Sequence, residues 1–132
     1  MAARERTEAQ LRAALGRKQY SLDEIDQAIA RLKALRFLDD RRAAEAHARV
    51  ALTARQSRAA VTRKLASMGV ADSEAEAAVD RVGLEVGHDD EAAARALLAK
   101  RRLSGVKAAR FLAGRGFSED LIMKLVPELT GE

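Results

Sequence analysis

Ser57-Arg-Ala-Ala-Val-Thr-Arg-Lys-Leu-Ala-Ser-Met-Gly-Val70 and Ser104-Gly-Val-Lys-Ala-Ala-Arg-Phe-Leu-Ala-Gly-Arg-Gly-Phe117 are two versions of one segment. Each opens on serine, and each closes on glycine followed by an apolar residue. The likeness extends outward. Val61, Leu65, Val70, Ala75, Val79 and Val82 share their spacing with Ala108, Leu112, Phe117, Ile122, Val126 and Leu129. They share it also with Leu11, Leu15, Tyr20, Ile25, Ile29 and Leu32. The offset is 50 residues from Leu11 to Val61 and 47 from Val61 to Ala108. Fixed-period similarity of this length marks stacked supersecondary units, each lending its apolar face to the next. Such arrays present surfaces to partners and seldom enclose a catalytic pocket.

Composition agrees with helices. The 132-residue chain is rich in Ala, Leu, Arg, Lys and Glu and has a single proline, Pro127. Aromatics are scarce, so Leu, Ile, Val and Ala must build the core. The chain has no cysteine, which excludes disulfides and thiolate metal sites and fits a reducing cytoplasm. No apolar run is long enough to span a membrane, and no signal peptide is visible. A soluble cytoplasmic protein, monomeric and without cofactor, is expected.

The apolar spacing and turn signals predict eight helices and no strand. The first covers about Arg4 to Lys18. Ser21-Leu-Asp-Glu24 is a capping box that opens the second, to about Leu35. Asp39-Asp40 starts a third helix, to about Ala54, and Ser57 a fourth, to about Met68. Gly69 suits the left-handed stop, with Val70 folding back. Asp72 or Ser73 should cap the fifth, to about Val82, with Ser73 and Glu76 at capping-box spacing. Gly83 to His88 reads as the main linker. Asp89-Asp90 restarts the pattern for a sixth helix, to about Arg102. Ser104 to Arg115 forms the seventh, ending at Gly116-Phe117. Ser118 caps the eighth, which Pro127 shortens. The expected division is an incomplete two-helix repeat over 1–38, then three-helix repeats over 39–84 and 85–132.

Charge is segregated. The net charge is +4. Ala46–Ala71 holds no acid but carries Arg49, Arg55, Arg58, Arg63 and Lys64. Ala92–Ser118 holds no acid but carries Arg95, Lys100, Arg101, Arg102, Lys107, Arg110 and Arg115. The windows occupy the same part of each unit: Arg55 corresponds to Arg102, Ser57 to Ser104 and Arg63 to Arg110. For any single cation the plain reading is a solvated helix face. The paired windows, joined by Arg42, instead point to a basic strip for phosphate or carboxylate. With few aromatics, a base-stacking platform is not expected.

Catalytic readings are weak. The acid pairs at Asp39-Asp40 and Asp89-Asp90 fit helix capping better than metal ligation, since no His or further acid recurs at a fixed spacing. His47 and His88 have unrelated contexts. There is no nucleophile elbow and no phosphate-cradling loop. No catalytic residue, metal site or cofactor is expected.

These segments also resemble a family. Phe37-Leu-Asp-Asp-Arg-Arg-Ala-Ala resembles the Leu-Asp-Asp-x-Arg-Phe-Ala signature of the RecX proteins, bacterial regulators of the RecA recombinase. Ser57–Val70 is similar to that family's second-unit motif, and Arg110-Phe-Leu-Ala-Gly-Arg-Gly-Phe-Ser to its third. Leu38, Asp39, Asp40, Gly69, Phe111, Leu112, Gly116 and Phe117 carry the match. The family's usual Phe and Trp are Ala43 and His47 here, its Gly before the aspartates is Arg36, and Lys18-Gln19-Tyr20 stands where Gly would end the helix. The resemblance implies an elongated, curved, all-helical array. It also implies a non-enzymatic regulator that binds the RecA–single-stranded-DNA filament. Two alternatives compete: a stand-alone DNA-binding helical module, and a helical adaptor for an acidic protein surface.

Overall fold

In a computed structural model the described residues, 6–130, form eight α-helices and a closing 3-10 turn, with no strand among them. In order they are α1 (Glu8–Arg17), α2 (Leu22–Ala34), α3 (Asp40–Thr53), α4 (Arg58–Ser67), α5 (Asp72–Val86), α6 (Asp90–Arg101), α7 (Gly105–Gly114) and α8 (Glu119–Leu125). The turn is Pro127–Thr130.

Local chemistry sets most of the boundaries. Ser21, Asp39, Ser57, Asp89 and Ser118 each accept a backbone N–H three residues on, so each satisfies an amide that the first helical turn leaves free. Thr7 does the same for α1, and Gln10 completes a capping box there. The helix therefore starts at Glu8; Arg4 and Glu5, expected in it, lie outside the described residues. Two further expectations are corrected. Ala71, not Asp72 or Ser73, is the N-cap of α5, and no side chain caps it. Asp72 and Glu74 in the first turn favour the dipole instead. Gly83 does not open a linker: α5 runs through it to Val86, and only Gly87 takes the left-handed stop. The Arg58 guanidinium lies beside Gly83, in the space a Cβ would take.

Buried side chains fall into three clusters. Leu11, Ile25, Ile29 and Leu38 form the first. The second joins Ala44, Ala48 and Leu52 of α3 to Val61, Leu65, Val79 and Val82. The third joins Ala94 and Leu97 of α6 to Leu112, Phe117, Ile122 and Val126. Small residues let these helices approach closely; Ala43, at the family's Phe position, is fully buried. Tyr20 is a repeat position that stays about half exposed, because no described helix covers the α1–α2 face that α3 covers on α4 and α5.

The junctions between successive units are built twice in the same way. The hydroxyls of Thr7 and Ser57 are fully buried. Each accepts its own helix's N–H and donates to the carbonyl that ends the second helix of the next unit: Thr7 to Met68, and Ser57 to Arg115 at 3.0 Å. A carboxylate from the next unit then takes the first free amide of the same helix. Glu8 N–H donates to Asp40 Oδ1 at 2.7 Å, and Arg58 N–H to Asp90 Oδ1 at 3.0 Å. The Asp-Asp pair thus divides its work. Its first member caps its own helix, and its second caps a helix 32 residues earlier. At α7, where no described unit follows, Glu128 of the closing turn accepts Gly105 N–H at 3.0 Å in the aspartate's place.

Glycine at the junction follows from this proximity. A Cβ on Gly69 would overlap Ala9, and one on Gly116 would lie 2.9 Å from Ser57 Oγ and 3.2 Å from Ala60 Cβ. Both glycines also have positive φ (90° and 84°), where side chains are strained. Gln19, the equivalent residue of the first unit, takes φ 65° with a side chain and is exposed.

Gly116→Ala should lower unfolding free energy by about 2–4 kcal/mol, from overpacking plus left-handed strain. Asp90→Ala should lower it by about 1–2 kcal/mol through the lost cap. Gly114→Ala, helical and with open space at its Cβ, is the control and should be neutral or slightly stabilising. Urea unfolding ranks the three; a Gly116 variant as stable as the Gly114 variant contradicts the junction geometry.

Candidate functional site

The expected basic strip divides into cations that hold the fold together and cations that face outward. Arg49 grips Glu85 of α5 through two hydrogen bonds, at 2.5 and 3.1 Å. Arg58 crosses Gly83 to reach Asp80, also on α5. Arg42 donates to the Arg36 carbonyl at 2.9 Å. The acid-free windows hid the partners of Arg49 and Arg58 because those acids lie on a different helix.

The other strip residues, Arg55, Arg63, Lys64, Lys100, Arg101, Arg102, Lys107, Arg110 and Arg115, make no ion pair among the described residues. Most are well exposed. Three lie beside α7. The Arg63 guanidinium lies against Gly116, with Nη2 2.7 Å from where a Cβ would stand. Arg101 and Arg115 place their guanidinium carbons 4.7 and 5.0 Å from the centroid of the Phe111 ring. Cation–π attraction of this kind fixes arginine side chains while leaving their N–H groups available. Lys107, Phe111 and Arg115, at i, i+4 and i+8, share one stripe of α7. Arg55 and Arg102 occupy equivalent left-handed positions (φ 67° and 55°) at the ends of α3 and α6, where positive charge suits the helix C-terminus.

The motif residues are structural. Leu38 and Phe117 are buried in the first and third clusters, Leu112 is fully buried, and Phe111 is half-buried beside the third. Asp39, Asp40, Gly69 and Gly116 serve the caps and junctions already described. His88, in the segment read as a linker, is also structural: its Nε2 lies 2.7 Å from Asp90 Oδ1. Among the described residues no three His, Cys, Asp or Glu side chains are grouped as a metal ion would require. No helix among them is long and apolar enough to cross a membrane.

Several acids are gathered into networks with neighbouring cations. Glu8 is held below the usual carboxylate range by hydrogen bonds from Lys33 and then Arg12. Lys124 and then Arg95 do the same at Glu91, and Arg49 at Glu85. At Glu45 partial burial resists ionisation, and Arg41 and Arg81 outweigh it. The arrangement thus presents mostly exposed ammonium and guanidinium groups, two of them held over Phe111, suited to phosphate or carboxylate oxygens.

Residues 1–32 match the family model described as RecX, first three-helix domain. The crystal structure of RecX from Lactobacillus salivarius superposes with a TM-score of 0.66 at 24% identity, covering 96% of this chain and 87% of that one. A second crystal structure, of a regulatory protein RecX, gives a TM-score of 0.72 at 17% identity, covering 93% of this chain and 64% of that one. At these identities the two structures establish the helical fold. No curated protein sequence gives a significant match.

A depressed carboxylate stabilises the fold above its unfolded pKa, and that contribution is lost as pH falls through its folded value. The acid networks should therefore hold their contribution down to about pH 4.3 and lose it below. Thermal denaturation from about pH 5 to pH 3 should show a decline that is shallower in Glu91→Gln than in the parent. Equal slopes would contradict the assignment.

Proposed function

We propose, for a chain that belongs to the RecX family, that it regulates the RecA recombinase by binding the filament that recombinase forms on single-stranded DNA. Regulation of the recombinase is what family membership implies; filament binding through the strip is our own reading. One observation carries it. Cations from two successive units, Arg63 on α4 and Arg101 and Arg115 around α7, lie beside α7 and make no ion pair among the described residues. A filament offers phosphates and protein carboxylates at repeating intervals. A jointed array of weak contacts gains from such repetition as multivalent binding, which favours polymer over free subunit.

The mechanism in this reading is steric and electrostatic. The array occupies filament surface and restrains strand exchange and ATP hydrolysis without chemistry of its own. It acts in the cytoplasm as a monomer, with residues 1–38, 39–84 and 85–132 as its successive repeats. DNA is contacted within the filament.

Recombinase on single-stranded DNA, titrated with this protein, should lose ATPase and strand-exchange activity. Reversal of Arg102, Lys107 and Arg110 to Glu should weaken that inhibition by at least about tenfold, equivalent to about 1.4 kcal/mol. Helical circular dichroism should be unchanged. Inhibition retained by the triple variant would remove the strip from the contact. Tight binding to bare DNA that falls steeply with salt would favour a stand-alone DNA-binding module instead.

A further inference from the structure

Between α3 and α4 lies an open groove of about 630 Å³, lined by Val50, Ala51, Ala60, Val61 and Leu65, with His47 and Lys64 also contributing. That volume falls within the roughly 300–1,000 Å³ of typical ligand sites. The third unit shows what belongs in such a space. By the 47- and 50-residue offsets, Leu97 stands where His47 does, Arg101 where Ala51 does, Leu103 where Gln56 does, and Phe111 where Lys64 does. There, Leu97, Leu103 and Phe111 pack in the third cluster, and Arg101 covers the ring at 4.7 Å. The second unit has the same two-helix groove without the aromatic ring, both leucines and the covering guanidinium.

We infer that this groove receives an aromatic side chain from an acidic segment of a partner protein. Its apolar lining supplies the contact surface, and the third unit supplies the precedent for a ring at this place. Lys64 supplies the charge preference: among the described residues it makes no ion pair and no acid lines the groove. A second copy of the chain is a poorer occupant. Phe37 is about half exposed and precedes Asp39 and Asp40, but both carboxylates already hold helix amides. The inference deepens the regulatory reading, since it rests on this side of α4 facing the partner and names the side-chain chemistry taken there.

The test is an amide NMR titration of the whole protein with acetyl-Asp-Phe-Asp-amide. Acetyl-Asp-Ala-Asp-amide and acetyl-Lys-Phe-Lys-amide serve as controls. The phenylalanine–aspartate peptide should give saturable shifts at Val50, Ala51, Ala60 and Lys64, and the controls should bind at least about tenfold more weakly. Lys64→Phe, which places a ring where the third unit has one, should abolish those shifts and raise the melting temperature. Ala51→Leu, filling the groove from α3, should also abolish binding. No saturable shift at these amides, equal binding of all three peptides, or unaltered binding by the filled variants overturns the inference. Self-association that Phe37→Ala removes would assign the groove to a second copy, and so would also overturn it. Recombinase inhibition by the parent protein is measured in parallel. Peptide binding that fails while the parent still inhibits sinks the groove alone, and a parent that does not inhibit sinks the regulatory reading alone.

Discussion

A buried hydroxyl and a borrowed carboxylate at one helix N-terminus hold the successive units together. Thr7 and Ser57 each serve two helices, accepting an N–H from their own and donating to the carbonyl that ends the next unit's second helix. Asp40 and Asp90 complete the same helix starts from across the junction. A helix end in contact with a neighbour must satisfy amides that water cannot reach, and leaving them bare is costly. The solution recurs at both junctions and ties each unit's register to the unit before it. Glu128 applies the carboxylate half of it to α7 from within the last unit.

This linkage also organises the charge. Gly116 must lack a side chain for Ser57 to approach, and the same gap admits the Arg63 guanidinium. Arg115, whose carbonyl receives Ser57, sends its own guanidinium over Phe111, where Arg101 also lies. The residues that fix one repeat against the next are therefore the neighbours of the cations that face outward. Arg49 and Arg58, from the same acid-free window, are spent instead on binding α5.

Periodic apolar spacing made the helical array legible in the sequence, because that spacing records which face each helix buries. The caps at Ser21, Asp39, Ser57, Asp89 and Ser118 were legible for the same local reason: each acts on its own first turn. What the sequence concealed acts at a distance. The second aspartate of each pair serves a helix 32 residues upstream, and no local pattern marks that destination. Gly83 looked like a breaker, yet it lies inside α5 with an arginine from α4 laid beside it. Arg49 and Arg58 looked unpaired because charge windows follow the chain, whereas their acids sit across a helix interface. The α3–α4 groove was hidden for a similar reason. It appears only when His47, Ala51, Gln56 and Lys64 are set in space beside Leu97, Arg101, Leu103 and Phe111.

Native-state hydrogen exchange tests the central claim most directly, because it reads whether adjacent units open together or separately. In the parent protein the slowest amides around Leu65 and Leu112 should exchange with one common opening free energy. In the Ser57→Ala/Asp90→Ala protein they should separate into two distinct values. Separate values in the parent, unchanged by the double substitution, would contradict the account.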